Sequence, residues 1–364
     1  MSKLILKNGL TFEGRSFGAD KSSAGEVVFS TGMMGYPESL TDPSYKGQIL
    51  VLTYPLVGNY GIPDKKFWEA EEIMISGLIV SDYINTPYHF QSKKTLSDWL
   101  KEENIPALEI KDTRLLTQII REKGTFLGKI VNGENIDFYD PDNENLVEKV
   151  SVKDIEIKSF SKSARNILLI DCGAKKNIQR AFSKRGVNVI TVPWDFDLTK
   201  PNKLPKIDAV VISNGPGNPK FVGQTIENIK KLFKLNIPVL GVCLGNQLLA
   251  LAAGGDTKKL KYGHRSQNQP CIMDGTNRCF ITTQNHGFEV SIIPPNFKTW
   301  FTNANDGSNE GIIHKRKPIM SVQFHPEATP GPHDTEWIFD YFLTRIKSKP
   351  RSDLGYARIK VGPY

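Results

Sequence analysis

Short apolar runs recur through the C-terminal half of the chain, at 167–170, 187–193, 208–213 and 238–242. Each is the length of a buried strand and too short for a core helix. Between them, 174–185, 224–235 and 244–253 carry apolar residues at helical spacing, and Gly173, Gly186 and Gly254-Gly255 punctuate the sequence. This alternation predicts an α/β domain: a doubly wound, mostly parallel sheet with helices on both faces. In such sheets functional residues gather at the carboxyl ends of the strands. A further apolar run at 318–323 reads as a strand ending at Phe324-His325-Pro326-Glu327.

The N-terminal half has a different texture. Segments 11–14, 26–30 and 48–52 read as strands split by Gly, Pro and Asp turns, and 93–103 and 112–123 as helices. This predicts a mixed α+β domain with no chemical motif of its own. Asp140-Pro141-Asp142-Asn143-Glu144 is turn-forming, and Lys158-Ser159-Phe160-Ser161-Lys162-Ser163 is short and polar. The expected layout is a domain at 1–150, a linker at 151–164, a second domain at 165–350 and a tail at 351–364.

Composition works by exclusion. The 364 residues are 39% apolar and 24% charged, as in a two-domain globular protein. No run of about 18 apolar residues occurs, so no membrane span is expected. The N-terminus lacks a secretory signal, and four cysteines fit a reducing compartment. The net charge of +8 divides unevenly: residues 1–160 carry −6 and residues 161–364 carry +14. The basic half has no zinc-finger spacing, RNP-type strand or dense basic block, so nucleic acid is not the expected partner. The excess is expected to face the acidic half or a protein partner, where charge steers association. Cys271 and Cys279 have no second pair, and the six histidines show no metal spacing, so no metal is expected. No P-loop is present.

Chemistry concentrates in four places. Gly241-Val242-Cys243-Leu244-Gly245 is a G-x-C-x-G at a strand-to-helix junction, the cysteine form of a nucleophile elbow. There the helix N-terminus favours thiolate, and the Leu244 N–H is available to an oxyanion. His325 and Glu327 lie two apart in an extended segment and so point the same way. A base oriented by a carboxylate would complete a triad with Cys243. Ser213-Asn214-Gly215-Pro216-Gly217 is either a plain Gly-Pro turn or a set of N–H donors to a ligand oxygen. Gln284-Asn285-His286-Gly287-Phe288 offers polar groups and an approachable backbone, with His286 read as structural. Cys172 is read as core.

Gly241-Val242-Cys243-Leu244-Gly245-Asn246-Gln247 with His325-Pro326-Glu327 resembles the class I, triad-type glutamine amidotransferases. Gly25-Glu26-Val27-Val28-Phe29, Thr31-Gly32-Met33-Met34-Gly35-Tyr36, Leu40-Thr41-Asp42-Pro43-Ser44-Tyr45 and Thr53-Tyr54-Pro55 resemble the small subunit of carbamoyl-phosphate synthetase. So do Asp112-Thr113-Arg114 and Arg121-Glu122-Lys123-Gly124.

The resemblance implies Cys243 as nucleophile, His325 as base and Glu327 as its orienting carboxylate. It implies L-glutamine bound by Ser44, Gly215, Gly217, Leu244, Gln247, Asn285, Gly287 and Phe288. Ser44 belongs to the other domain, which puts the pocket at the domain interface. The implied reaction passes through a glutamyl thioester, and the ammonia goes to a large subunit. That partner uses ATP and Mg2+ to make carbamoyl phosphate for arginine and pyrimidine biosynthesis; the small subunit itself has no cofactor. Two positions depart from the family: Asn246 stands where His is usual, and Ser266 where Gly is common. The alternatives are the glutaminase of another amidotransferase, a γ-glutamyl hydrolase on the same sheet, and a non-catalytic docking protein. The 24 Asn residues, with abundant Lys and Ile, suggest an AT-rich coding genome. The expected compartment is a bacterial cytoplasm, or a plastid stroma if the gene is plastid-encoded.

Overall fold

The computed structural model describes residues 2–199 and 204–346; the tail expected at 351–364 lies outside the described residues. The N-terminal half closes into a seven-stranded barrel in the order β1-β2-β6-β5-β4-β3-β7. Its strands are β1 (Ser2–Leu6), β2 (Thr11–Ser16), β3 (Ser23–Ser30), β4 (Gln48–Leu52), β5 (Gly77–Val80), β6 (Ala107–Glu109) and β7 (Phe126–Val131). Helices α1 (Tyr36–Leu40), α2 (Leu96–Glu102) and α3 (Thr113–Lys123) sit in its connections.

The central strands are apolar on both faces because both are covered. In β4, Ile49 and Val51 join one core, which includes Leu116 and Ile120 of α3. Leu50 and Leu52 join the other, with Tyr36, Leu40 and Trp99. Alternate residues of a strand point to opposite faces, so an unbroken apolar run requires two cores. Of these seven strands, the pattern read above reaches β2, β3 and β4; β6 is too short to carry a period.

The C-terminal half is one ten-stranded sheet in the order β14-β13-β15-β16-β17-β12-β11-β9-β10-β8. In chain order its elements are α4 (Val147–Val150), β8 (Glu156–Lys158), β9 (Asn166–Asp171), α5 (Lys176–Lys184), β10 (Asn188–Pro193), β11 (Ala209–Ile212) and α6 (Gly223–Leu232). There follow β12 (Val239–Val242), α7 (Leu244–Ala252), β13 (Asp256–Met273), β14 (Cys279–Ile292), β15 (Phe297–Asn303), β16 (Asn309–His314), β17 (Ile319–Val322) and α8 (Trp337–Thr344).

Helices cover both faces of the parallel strands. Ile167 and Leu169 of β9 pack with Phe182 of α5 and Phe339 of α8. Leu168 and Ile170 pack with Ile229 of α6 and Leu248 of α7.

Two features differ from the expectation. The sheet is mixed rather than mostly parallel: β17, β12, β11, β9 and β10 are parallel, while β16, β15, β13 and β14 extend it antiparallel. The pattern missed this arm because β13 and β14 carry His, Arg, Gln and Asn inward, and bulges interrupt their register. The stretch read as a linker also contains β8, which adds to the edge at β10. Its three residues are all exposed, so burial left no signature there.

The two halves meet through opposite charges. Among the described residues, the ion pairs between them are Lys176–Glu71, Arg180–Glu69, Lys259–Glu26 and Lys259–Asp142. The acid always comes from the N-terminal half. Glu69 is fully buried and accepts the Asn177 N–H at 2.9 Å, capping the N-terminus of α5, whose own N-cap, Lys175, supplies no side-chain bond. Burial raises the Glu69 carboxyl to about 7, above the usual carboxylate range. Arg180 donates to Glu69 at 2.9 Å and to the carbonyls of Lys66 and Trp68 at 2.7 and 2.6 Å.

Arg180→Met should therefore lower unfolding free energy by about 2–3 kcal/mol, the usual worth of charge-assisted bonds to a buried partner. In a urea double-mutant cycle with Glu69→Gln, the coupling should be about 1–3 kcal/mol. Additive effects would show that the clasp contributes nothing to docking.

Candidate active site

β11, β12 and β17 are neighbours, with Ile212 opposite Gly241 and Val242 opposite Val322. Their carboxyl ends therefore deliver Ser213–Gly217, Cys243 and His325 to one edge of the sheet. Cys243 sits in a left-handed turn (φ 53°, ψ −104°) between β12 and α7. For a non-glycine residue this is a strained conformation. The flanking glycines are required by close approach. A Cβ on Gly245 would lie 2.2 Å from the Ile212 carbonyl oxygen, and one on Gly241 would lie 2.6 Å from that of Gly245. The Leu244 N–H opens α7, where a helix has no acceptor for it.

His325 is 1% exposed, and its Nδ1 lies 2.6 Å from Oε1 of the fully buried Glu327. Its Nε2 has no hydrogen-bond partner within the chain. Burial works against the imidazolium, but the Glu327 carboxylate and Cys243 outweigh it and hold the His325 proton to about pH 10. Burial likewise opposes the Glu327 charge, and His325 and Lys175 overcome it, so that carboxyl is held below its usual range. Lys175, 2% exposed, stands behind, with Nζ 3.4 Å from Glu327 Oε1.

A cavity opens beside the cysteine. Cys243, Ser44, Gly215, Gly217, Leu244, Gln247, Asn285, Gly287 and Phe288 all line it. His325, which interacts electrostatically with Cys243, and Glu327 are not among the residues lining it. The barrel half contributes Ser44, whose N–H is fixed by Asp42 at 2.9 Å and whose Oγ accepts from Asn214 at 3.0 Å. Asp42 also accepts from Asn285 Nδ2 at 2.9 Å, so one carboxylate of the barrel orients residues of both halves.

Several lining residues escaped the sequence reading. Glu26, Asp142, Lys259 and Arg265 put charge of both signs in the pocket wall. They come from four separate stretches, and no local pattern joins them. Gln323 places its Nε2 3.7 Å from Cys243 Sγ, while its Oε1 accepts from Asn246 and Gln247 at 3.1 and 3.2 Å. Its signal was available: it precedes His325 by two in the same extended segment. Asn246 is fully buried and accepts from Ser321 Oγ at 2.8 Å, so it has a packed structural place. Ser266 is buried and accepts from Gln269 at 3.0 Å. His286 lines the cavity, with Nδ1 2.9 Å from the Phe288 carbonyl oxygen. Cys172 is fully buried, and burial pushes its thiol pKa up.

Residues 4–130 match the family described as "Carbamoyl-phosphate synthase small chain, CPSase domain", and residues 168–345 match "Glutamine amidotransferase class-I". The chain is 49% identical over 359 residues to the multifunctional protein CAD of Squalus acanthias, covering 94% of this chain and 16% of that one. It is 45% identical over 388 residues to the multifunctional protein pyr-3 of Neurospora crassa, covering 94% and 21%. It is 44% identical over 357 residues to the mitochondrial carbamoyl-phosphate synthase [ammonia] of Homo sapiens, covering 94% and 24%. The chain thus spans a quarter or less of the length of these relatives. With both domain families present in this order and the elbow, imidazole and carboxylate joined at one strand edge, the chain belongs to the carbamoyl-phosphate synthase small chains, its C-terminal half being a class I glutamine amidotransferase domain.

Proposed function

We propose that the chain hydrolyses L-glutamine and passes the ammonia to a carbamoyl-phosphate-synthesising partner. One observation carries this reading: residues of both halves line a single cavity beside a strained cysteine backed by a buried His–Glu pair. The cavity's lining of polar side chains and glycine backbone, with charges of both signs, suits an amino acid. Ser44, Gln247, Asn285, Gly287 and Phe288 hold the amino-acid end of glutamine, and its amide carbon lies against Cys243.

In the first step Cys243 Sγ attacks that carbon. The oxyanion takes the N–H of Leu244 and that of Gly215. His325 gives its proton to the amide nitrogen, the C–N bond breaks, and ammonia leaves a glutamyl thioester. Cys243 and Glu327 together hold the His325 proton. As the sulfur loses its negative charge, only Glu327 remains, and the ring becomes the stronger acid when a proton is needed. In the second step His325 takes a proton from water, which attacks the thioester and releases glutamate and the thiolate.

The partner is a large synthetase chain, separate or fused, that supplies the ATP, Mg2+ and bicarbonate chemistry. Its product, carbamoyl phosphate, feeds pyrimidine and arginine synthesis. One relative is named for ammonia, but a chain that keeps Cys243, His325 and Glu327 together is equipped for glutamine.

With a large chain added, Cys243→Ala should lower glutamine-dependent carbamoyl phosphate formation by about 10³-fold or more and leave ammonia-dependent formation intact. Retained glutamine use would overturn the proposal. The His325 proton also has a stability consequence. Its folded pKa of about 10 lies well above that of a free imidazole. The imidazolium therefore contributes stability that is fully present below pH 6.5 and lost as pH rises through about 10. Urea midpoints should fall across that window, and Glu327→Gln should flatten the fall. The same variant should reduce glutaminase kcat by roughly 10²–10⁴-fold and move the alkaline limb of its pH profile downward. An unmoved limb would show that Glu327 does not act on the ring.

A further inference from the structure

The pairing of β13 with β14 sets His264 opposite His286, and their rings meet edge to face with centroids 4.9 Å apart. Next to them is Glu310 of β16, a carboxylate with no exposed surface. One donor atom from each of the three lies within 4.8 Å of the others. His264 Nδ1 is 3.3 Å from Glu310 Oε1, and His286 Nε2 is 4.0 Å from the same oxygen.

Two atoms in this cluster are buried with no hydrogen-bond partner: His264 Nδ1 and Glu310 Oε2. A buried polar atom in that state is rare and costly. The far nitrogen of each ring is held from behind. His264 Nε2 lies 2.9 Å from Asp306 Oδ2, and His286 Nδ1 lies 2.9 Å from the Phe288 carbonyl oxygen. Both partners are acceptors, so both rings donate there. In its neutral form each ring then turns a lone pair toward Glu310. Outer acceptors of this kind fix the tautomer of metal-binding histidines.

Gln284 stands beside the pair, its side-chain amide 3.1 Å from His286 Nε2 and 3.1 Å from Thr282 Oγ1.

We propose that His264 Nδ1, His286 Nε2 and the Glu310 carboxylate bind one divalent transition-metal ion of the zinc class, with Gln284 Oε1 as a fourth donor. Two imidazoles and a carboxylate suit zinc rather than magnesium or calcium. Ligands of a tetrahedral ion with bonds of about 2.0–2.1 Å stand about 3.3 Å apart. The His264–Glu310 spacing already matches, and the His286–Glu310 gap has to close by about 0.7 Å.

His286 lies between Asn285 and Gly287 and lines the cavity beside Cys243. The ion would therefore clamp the cavity wall from behind, without touching the reacting atoms.

The test needs no glutaminase activity. The full chain carrying Cys243→Ala, which removes the thiol nearest the cavity as a competing ligand, is stripped with a chelator and titrated with Zn2+ and with Co2+. The expected result is one ion per chain and a visible Co2+ absorption of low coordination number without a thiolate charge-transfer band. Glu310→Gln should weaken binding by about 10-fold or more, and Asp306→Asn, at a half-exposed site that the fold tolerates, by about 10-fold. No uptake, a thiolate band, or affinity unchanged in Asp306→Asn would overturn the proposal.

Discussion

A carboxylate with no exposed surface cannot stay charged unless something cancels it, and Glu327 sets that demand at the centre of the molecule. His325 at 2.6 Å and Lys175 at 3.4 Å both answer at its Oε1. Lys175 is itself buried, and its ammonium is held by the charges of Glu327, Glu69 and Asp42 against burial. Glu69 in turn carries the N-terminus of α5 and the guanidinium of Arg180. The charges thus alternate from the cysteine edge of the sheet to the barrel. Each member is affordable only because its neighbours are in place. This ties the protonation of the site to domain docking more tightly than the packing of either core does.

The second demand is steric. Cys243 reaches the cavity only through a left-handed turn, and glycines at 241 and 245 let α7 come close enough to β11 and β12 to hold that turn. The rest of the fold serves this approach. Parallel strands of matched register bring three loops to one level, and helices on both faces keep those strands from shifting. Strain of this kind persists when the surroundings over-determine it, and here both faces of the sheet do so.

What the chain's sequence disclosed follows from range. The elbow and Phe324-His325-Pro326-Glu327 are legible because each is one continuous stretch at the end of a strand. Ser44 was reachable only through family resemblance, since its partner Asn214 lies in the other half. Lys175, Glu69 and Lys259 act through residues distant in sequence, and no period or motif marks them. The antiparallel arm was hidden for a related reason. Strands β13 and β14 bury Arg265, Gln284 and His286, so polarity, which signals exposure elsewhere, here signals a site. His264 and His286 likewise carry no metal spacing in sequence, because only the strand register brings them together.

The division of charge between the halves gains a physical meaning from the seam. Acid on one side and base on the other at every ion pair between the halves favours one docking and disfavours the reverse. Exposed members of such pairs contribute little to stability on their own. Their larger effect lies in placing Asp42 and Ser44 over Asn214 and Asn285. A ligand that bridges those residues binds only the docked arrangement. It then stabilises docking in proportion to the logarithm of its concentration over its dissociation constant. Substrate binding and closure of the seam are in that case one equilibrium, and the charge asymmetry acts on the affinity of the pocket without any of its charges having to touch the amide.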